Sequence, residues 1–240
     1  MNVKLYENVV IGNFLYGLGV SIGGRLKSEY LPSAVSLLQQ TPEDKALGDV
    51  LLDFPGTLRL IEFKAQANRS KKELSRYRKL LPAIEDSQEM LNISRRVHWY
   101  VETAPSALKG VEAFFSPYLD VFETEKPAKQ PFALERFIES VADDVISSKN
   151  DERDALEKDY LKLVRWCQGA GETGAGALIV IVGSGGGIEF VALEDLMALN
   201  MSYQKWMAYR QEQELKMEKA LEMELEKEER QKKLERGYER

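Results

Sequence analysis

The 240-residue chain contains one cysteine and one histidine. Cys167 has no partner for a disulfide within the chain, and a lone His98 excludes a metal centre built from several histidines. No N-terminal stretch combines the charged head, apolar run and small-residue cleavage site of a signal peptide, so a cytoplasmic setting is expected. Long apolar runs are also lacking. The longest, residues 9–24, is interrupted by Asn13 and by Gly12, Gly17, Gly19 and Gly23, and falls short of the ~20 residues that a spanning helix needs. No membrane role is expected. There is no excess of positive charge either: the net charge of −6 argues against a protein held to nucleic acid by its overall field.

Several catalytic signatures are missing as well. The glycine-rich residues 169–176 (GAGETGAG) follow a helical pattern, precede a strand pattern and lack the Gly-Lys-Ser/Thr of a phosphate loop, so they read as a connector. Residues 183–187 sit between two strand patterns, where turn chemistry accounts for the glycines. No serine motif accompanies His98 for a Ser-His-Asp arrangement, and Cys167 beside Trp166 reads as a packing residue.

With 44% apolar and 30% charged residues, the composition is that of an ordinary globular domain. One domain over residues 1–203 and a charged helical extension over residues 204–240 are expected. The extension holds ten basic and ten acidic residues, many at the four-residue spacing of helix ion pairs. A helix of this kind without a partner has little tertiary support, so it is a candidate docking arm for a partner protein or a second copy.

Along the domain, residues 2–40 read as mainly helical. Residues 48–54 (GDVLLDF) and 57–64 (TLRLIEFK) read as two strands joined at Pro55-Gly56, and residues 70–81 as a helix ending before Pro82. Further strands are expected at 97–101 and 118–122, helices at 132–149 and 152–168, and a hairpin from 177–182 and 188–192. The fold class is therefore α/β.

Glu-x-Lys occurs three times, at Glu43/Lys45, Glu62/Lys64 and Glu214/Lys216. Only Glu62/Lys64 lies in a strand pattern, where alternation sends Glu62 and Lys64 to one face and Ile61 and Phe63 to the other. A charged pair at the end of a buried strand is costly unless it is paired or bound to a cation. The hairpin register adds a second acid. A two-residue turn through Pro55-Gly56, or the four-residue turn 54–57 that hairpin statistics favour, places Asp49 opposite Glu62. A three-residue loop would send Glu62 to the other face. Directly opposed residues have Cβ atoms about 4.5–5.5 Å apart, a spacing at which two carboxylates suit one Mg²⁺ or Mn²⁺ ion. Asp53, four residues along, reads as a turn residue.

Downstream, Arg69, Lys71, Lys72, Arg76, Arg78 and Lys79 face a single acid, Glu73, over residues 69–79. Such a basic helix can contact phosphates on an otherwise acidic protein.

Gly48-Asp49, then Ile61-Glu62-Phe63-Lys64, then Gln66 and the basic helix, resembles the signature of the PD-(D/E)xK phosphodiesterase superfamily over residues 47–81. That signature is an acid opening one strand, an acid-x-lysine on the next and a helix carrying basic or amide residues. The family's proline before the first acid is absent, and Gly48 stands there. The resemblance implies a restriction-endonuclease-like mixed sheet flanked by helices and a metal-dependent nuclease, with DNA as the preferred substrate. It assigns Asp49, Glu62 and the Phe63 carbonyl to the metal, Mg²⁺ or Mn²⁺. Lys64 would act on the attacking water and the developing phosphorane charge, and Gln66 on water or the scissile phosphate. Some members add a glutamate from the N-terminal helix, for which Glu7 is the candidate and Glu29 a second. Compact members often work inside larger systems such as phage defence. The alternative is a non-catalytic subunit that keeps the fold to bind nucleic acid or a partner protein and assembles through its C-terminal helix.

Overall fold

The computed structural model describes residues 5–26, 31–38, 47–65, 71–105, 110–122, 132–148, 155–168, 177–182 and 188–193, together with five single positions near the C-terminus. The chain divides into two compact units, Met1–Asn200 and Met201–Arg240. In the second, the described positions Leu215, Lys219, Glu222, Met223 and Lys227 are all helical and exposed.

The first unit is α/β. Its elements are α1 (Glu7–Gly23), β1 (Leu31–Leu37), β2 (Val50–Phe54), β3 (Thr57–Ala65), α2 (Lys71–Ile84), α3 (Gln88–Val97), β4 (His98–Pro105), β5 (Val111–Pro117), β6 (Phe132–Ala133), α4 (Leu134–Ser148), α5 (Ala155–Cys167), β7 (Ala177–Val182) and β8 (Ile188–Leu193). A 3-10 turn, Leu119–Val121, follows β5. One mixed sheet runs in the order β6-β5-β4-β3-β2-β1-β7-β8. Among the described strands, the parallel pair is β3–β4, joined through α2 and α3, because a parallel connection needs a crossover long enough to hold helices.

Alternation along the central strands divides the two faces. Val50, Leu52, Phe54, Ile61, Phe63 and Val101 point to one side, where α1 and α4 pack against each other over them. Phe14 of α1 joins this core to both layers, with its ring 5.3 Å from Phe63 and 5.5 Å from Phe137. Glu62 and Lys64 point to the opposite side, toward α2, which packs with α3 and α5. No described helix is long and apolar enough to cross a membrane.

Several local expectations are corrected. Residues 2–40 are helical only in their first part: after α1 comes β1, a strand paired on both sides, with Ala34 opposite Asp53 and Ile179. Asp53 is no turn residue. It lies within β2, opposite Leu58, and is buried. The turn itself is the two-residue Pro55-Gly56, since Phe54 pairs with Thr57, and Gly56 takes the positive φ of 71° that such a turn demands of its second residue. The helix α2 continues through Pro82 to Ile84, whose buried side chain anchors the last turn. The strand expected at residues 118–122 is the 3-10 turn, and β5 lies just before it.

Candidate active site

The site forms where β2 begins and β3 ends. The β2–β3 ladder ends at the Val50–Ile61 pair, and Asp49, just ahead of β2, donates its N–H to the Ile61 carbonyl at 3.2 Å. The register stops there, so Asp49 is not a ladder partner of Glu62, but its carboxylate still reaches the Lys64 ammonium at 3.7 Å. Gly48 makes the approach. It has φ +157°, and a Cβ there would lie 3.1 Å from Glu62 Oε2 and 3.5 Å from the Ile61 carbonyl oxygen. A proline, with φ fixed near −65°, could not adopt this conformation.

Three carboxylates gather on the Lys64 ammonium. Glu62 Oε1 is its nearest partner, Asp49 Oδ2 lies at 3.7 Å and Glu7 Oε2 at 3.9 Å. Backbone donors fix two of them: Phe63 N–H donates to Asp49 Oδ2 at 2.8 Å, and Ala65 N–H donates to Glu7 Oε1 at 3.1 Å. Glu7 opens α1, so the cluster draws on a helical residue 58 positions upstream of the backbone amide it meets. Within an extended strand, a residue's N–H and carbonyl project to the same edge, so the Phe63 carbonyl also faces the Asp49 side.

Further charge lies behind Glu62. Arg76 Nη1 donates to Glu62 Oε2 at 3.3 Å and to Glu73 Oε1 at 3.0 Å. The Tyr118 hydroxyl donates to Glu73 Oε2 at 3.2 Å. Glu73, Arg76 and Tyr118 are all buried.

Arg76 is therefore not part of the exposed basic face on which it was expected to contact phosphates. Glu73, Arg76, Leu80 and Ile84 share the helical stripe that turns inward, whereas Lys71, Lys72, Arg78 and Lys79 are exposed on the outer side of α2. The glutamate–arginine pair could have been read from its three-residue spacing ahead of Leu80 and Ile84. Gln66, Glu29 and Arg69 lie outside the described residues.

The electrostatics follow from burial. Four carboxylates, Glu7, Asp49, Glu62 and Glu73, face two cations, Lys64 and Arg76, leaving an excess of two negative charges when all are ionised. Burial, then Asp49 and Glu73, push Glu62 up to about 8 from its ordinary 4.5, against the opposing pull of Lys64 and Arg76. Burial by itself would lower the Lys64 ammonium, but Glu62, Asp49 and Glu7 outweigh it and raise the group above its usual range. The lysine stays charged, and the carboxylates remain short of positive charge.

Among the described residues, no three His, Cys, Asp or Glu side chains are grouped closely enough to hold a metal ion as they stand. The carboxylates of Glu7, Asp49 and Glu62 are grouped instead around the lysine ammonium. As a donor set they fit a hard divalent cation: all are oxygens, and their uncompensated charge matches one such ion.

His98 is a buried residue of β4. Its ring stacks on Tyr118 at 4.1 Å, and its Nδ1 shares a 2.9 Å hydrogen bond with the Tyr160 hydroxyl. Cys167 ends α5, and partial burial pushes its thiol above the ordinary value.

No protein-family model, no curated protein and no solved structure matches the chain.

Proposed function

We propose that this protein is a metal-dependent nuclease of the PD-(D/E)xK kind, with a restriction-endonuclease-like domain that hydrolyses phosphodiester bonds, DNA being the preferred substrate. The observation that carries the reading is the convergence of Glu7, Asp49 and Glu62 on the Lys64 ammonium at the open end of the β2–β3 hairpin. Asp49 and Glu62, with the Phe63 carbonyl and Glu7, would hold Mg²⁺ or Mn²⁺. When bound, the ion supplies a more acidic water and a clamp on a phosphate oxygen. Lys64 supplies fixed positive charge where the phosphorane's negative charge builds, and it orients the attacking water. Gln66, next along the chain after β3, is assigned to the water or the scissile phosphate. Lys71, Lys72, Arg78 and Lys79 grip phosphates from the outer side of α2, where local positive charge offsets the acidic whole.

The C-terminal extension is the proposed arm for a partner protein or a second copy, and its described positions are exposed and helical. A cytoplasmic setting suits a protein whose single cysteine forms no internal disulfide.

One observation favours the second reading, a non-catalytic subunit that keeps the fold for binding. Lys64 is only 9% exposed, with its ammonium engaged by carboxylates, which is also the form of a buried structural ion-pair cluster. The two readings separate in an assay of Mg²⁺- and Mn²⁺-dependent cleavage of plasmid and single-stranded substrates, with Lys64→Ala as control. The nuclease cleaves and the variant is slower by about 10²-fold or more, whereas the binding subunit retains nucleic acid without cutting it.

A further inference from the structure

Glu62 is held from two sides. Its Oε1 meets the Lys64 ammonium, and its Oε2 accepts from Arg76 at 3.3 Å. Arg76 is itself fixed, because Glu73 Oε1 takes the same Nη1 at 3.0 Å and Glu73 Oε2 accepts from Tyr118 at 3.2 Å. Tyr118 is braced in turn by the His98 ring stacked at 4.1 Å, and His98 by the Tyr160 hydroxyl, which also meets Ser94 Oγ at 2.9 Å. Glu62, Glu73 and Tyr118 are no more than 2% exposed, and Arg76 is 7% exposed.

A buried arginine–glutamate pair is a poor device for stability. The loss of hydration on both charges offsets their attraction, and apolar side chains of similar volume often serve as well or better. What this pair does provide is direction. A carboxylate can offer one oxygen or two to a cation, and which it offers depends on whether the second oxygen is already engaged.

Resting on the reading of the cluster as a metal site, we propose that Arg76 is a positioning residue acting through Glu62: it holds Oε2, so that Oε1, the oxygen that meets the Lys64 ammonium, is the one left to share with a cation. Glu73 and Tyr118 hold the guanidinium in place. One-oxygen donation suits a small octahedral ion such as Mg²⁺ or Mn²⁺. Ca²⁺, with six to eight ligands and longer bonds, readily takes both oxygens of a carboxylate. Arg76 thus sets the preference among cations, a property separate from whether the carboxylates bind one at all.

The test is calorimetric titration of the full chain with MnCl₂ and, separately, with CaCl₂, accompanied by thermal melts. Wild type, Arg76→Met, Arg76→Lys and Glu73→Gln are compared. The wild type is expected to bind Mn²⁺ more tightly than Ca²⁺. Arg76→Met should lose about 10- to 100-fold in Mn²⁺ affinity, the usual cost of removing an outer partner of a ligating group. It should lose less for Ca²⁺, so the Mn²⁺/Ca²⁺ preference shrinks. Arg76→Lys, which keeps the charge without the fork, should recover part of the preference. A purely structural role would lower the melting temperature and leave the preference intact.

If Arg76→Met does not melt cooperatively, Glu73→Gln decides, because it keeps Arg76 and loosens its seat. Its Mn²⁺/Ca²⁺ preference should then fall. A folded Arg76→Met with the wild-type preference, or a folded Glu73→Gln with that preference where Arg76→Met fails to fold, overturns the role of Arg76 alone. A wild type that binds neither ion overturns the metal-site reading and this proposal together.

Discussion

Asp49 Oδ2 accepts the Phe63 N–H at 2.8 Å, so the acid just ahead of β2 satisfies a β3 backbone donor beyond the last β2–β3 pair. The two functions can be separated. Asp49→Asn keeps an oxygen acceptor and removes the charge, whereas Asp49→Ala leaves a buried N–H without its partner, at a cost of about 1–3 kcal/mol. Urea denaturation should therefore show Asp49→Asn close to wild type and Asp49→Ala clearly weaker, while calorimetry shows Mn²⁺ binding lost in both. Equal stability of the two variants would contradict the backbone role.

Gly48 is expected to tolerate no side chain. Its φ of +157° and the 3.1 Å approach of a Cβ to Glu62 Oε2 put Gly48→Ala in strain and push on the carboxylate at once. A loss of about 1–3 kcal/mol is expected by chemical denaturation, together with weakened Mn²⁺ binding. Gly48→Pro should be worse than Gly48→Ala, because the proline ring fixes φ near −65°. A proline variant as stable as wild type would refute the conformational argument.

His98 should make the fold acid-sensitive. Burial, then the nearby Arg76, push it down to about 3 from its ordinary 6.5. Below pH 6.5 the unfolded chain takes up a proton that the folded chain refuses, so stability falls as the pH drops toward 3, by about 1.4 kcal/mol per unit at most. Glu62 works in the opposite direction. Its raised value, about 8 against 4.5, contributes stability that is fully present below pH 4.5 and lost as the pH rises to 8. Comparing wild type with His98→Gln cancels the Glu62 contribution. The difference in unfolding free energy between the two should shrink steadily from pH 6.5 to 4, and a difference that is flat across that range would show that His98 accepts a proton in the folded state.

The outer side of α2 should hold phosphates without help from Arg76. Reversing Lys71, Lys72, Arg78 and Lys79 to glutamate should weaken DNA binding across sequences. It should also flatten the salt dependence by about 0.9 in log–log slope for each phosphate no longer neutralised. Fluorescence anisotropy over a salt series measures both. An unchanged slope would remove α2 from the interface.

The hairpin was legible because several local signals agree on one register. Leu51 and Leu60 alternate with Leu52 and Ile61, Pro55-Gly56 marks the reversal, and the resulting pairing runs from Phe54–Thr57 to Val50–Ile61, one residue short of Asp49 and Glu62. Glu7 was expected only through the resemblance, which implies a glutamate from the N-terminal helix. The strand β1 was not legible. Its small residues Ser33 and Ala34 carry little strand propensity, Pro32 argues against a central strand, and its place comes from pairing with β2 and β7, which are far apart in sequence. Pro32 is tolerated because the β2 pairing starts only at Ala34. Asp53 reads as a turn residue for the same reason: local sequence carries no sign of the strand that covers it. Arg76 was hidden in a run of basic residues, where composition suggested one exposed face and the helical period in fact divides the run between two.

Whether the carboxylates around Lys64 form an active site or a structural ion-pair cluster is decided most directly by the plasmid-nicking rate at saturating Mn²⁺. Wild type, Asp49→Asn and Lys64→Ala are compared, with Mn²⁺ binding followed on the same samples. The expected result is no cleavage and no metal binding in Asp49→Asn, and in Lys64→Ala retained metal with a rate lowered about 10²-fold or more. Full activity in Asp49→Asn, or an unchanged rate in Lys64→Ala, would contradict the active site.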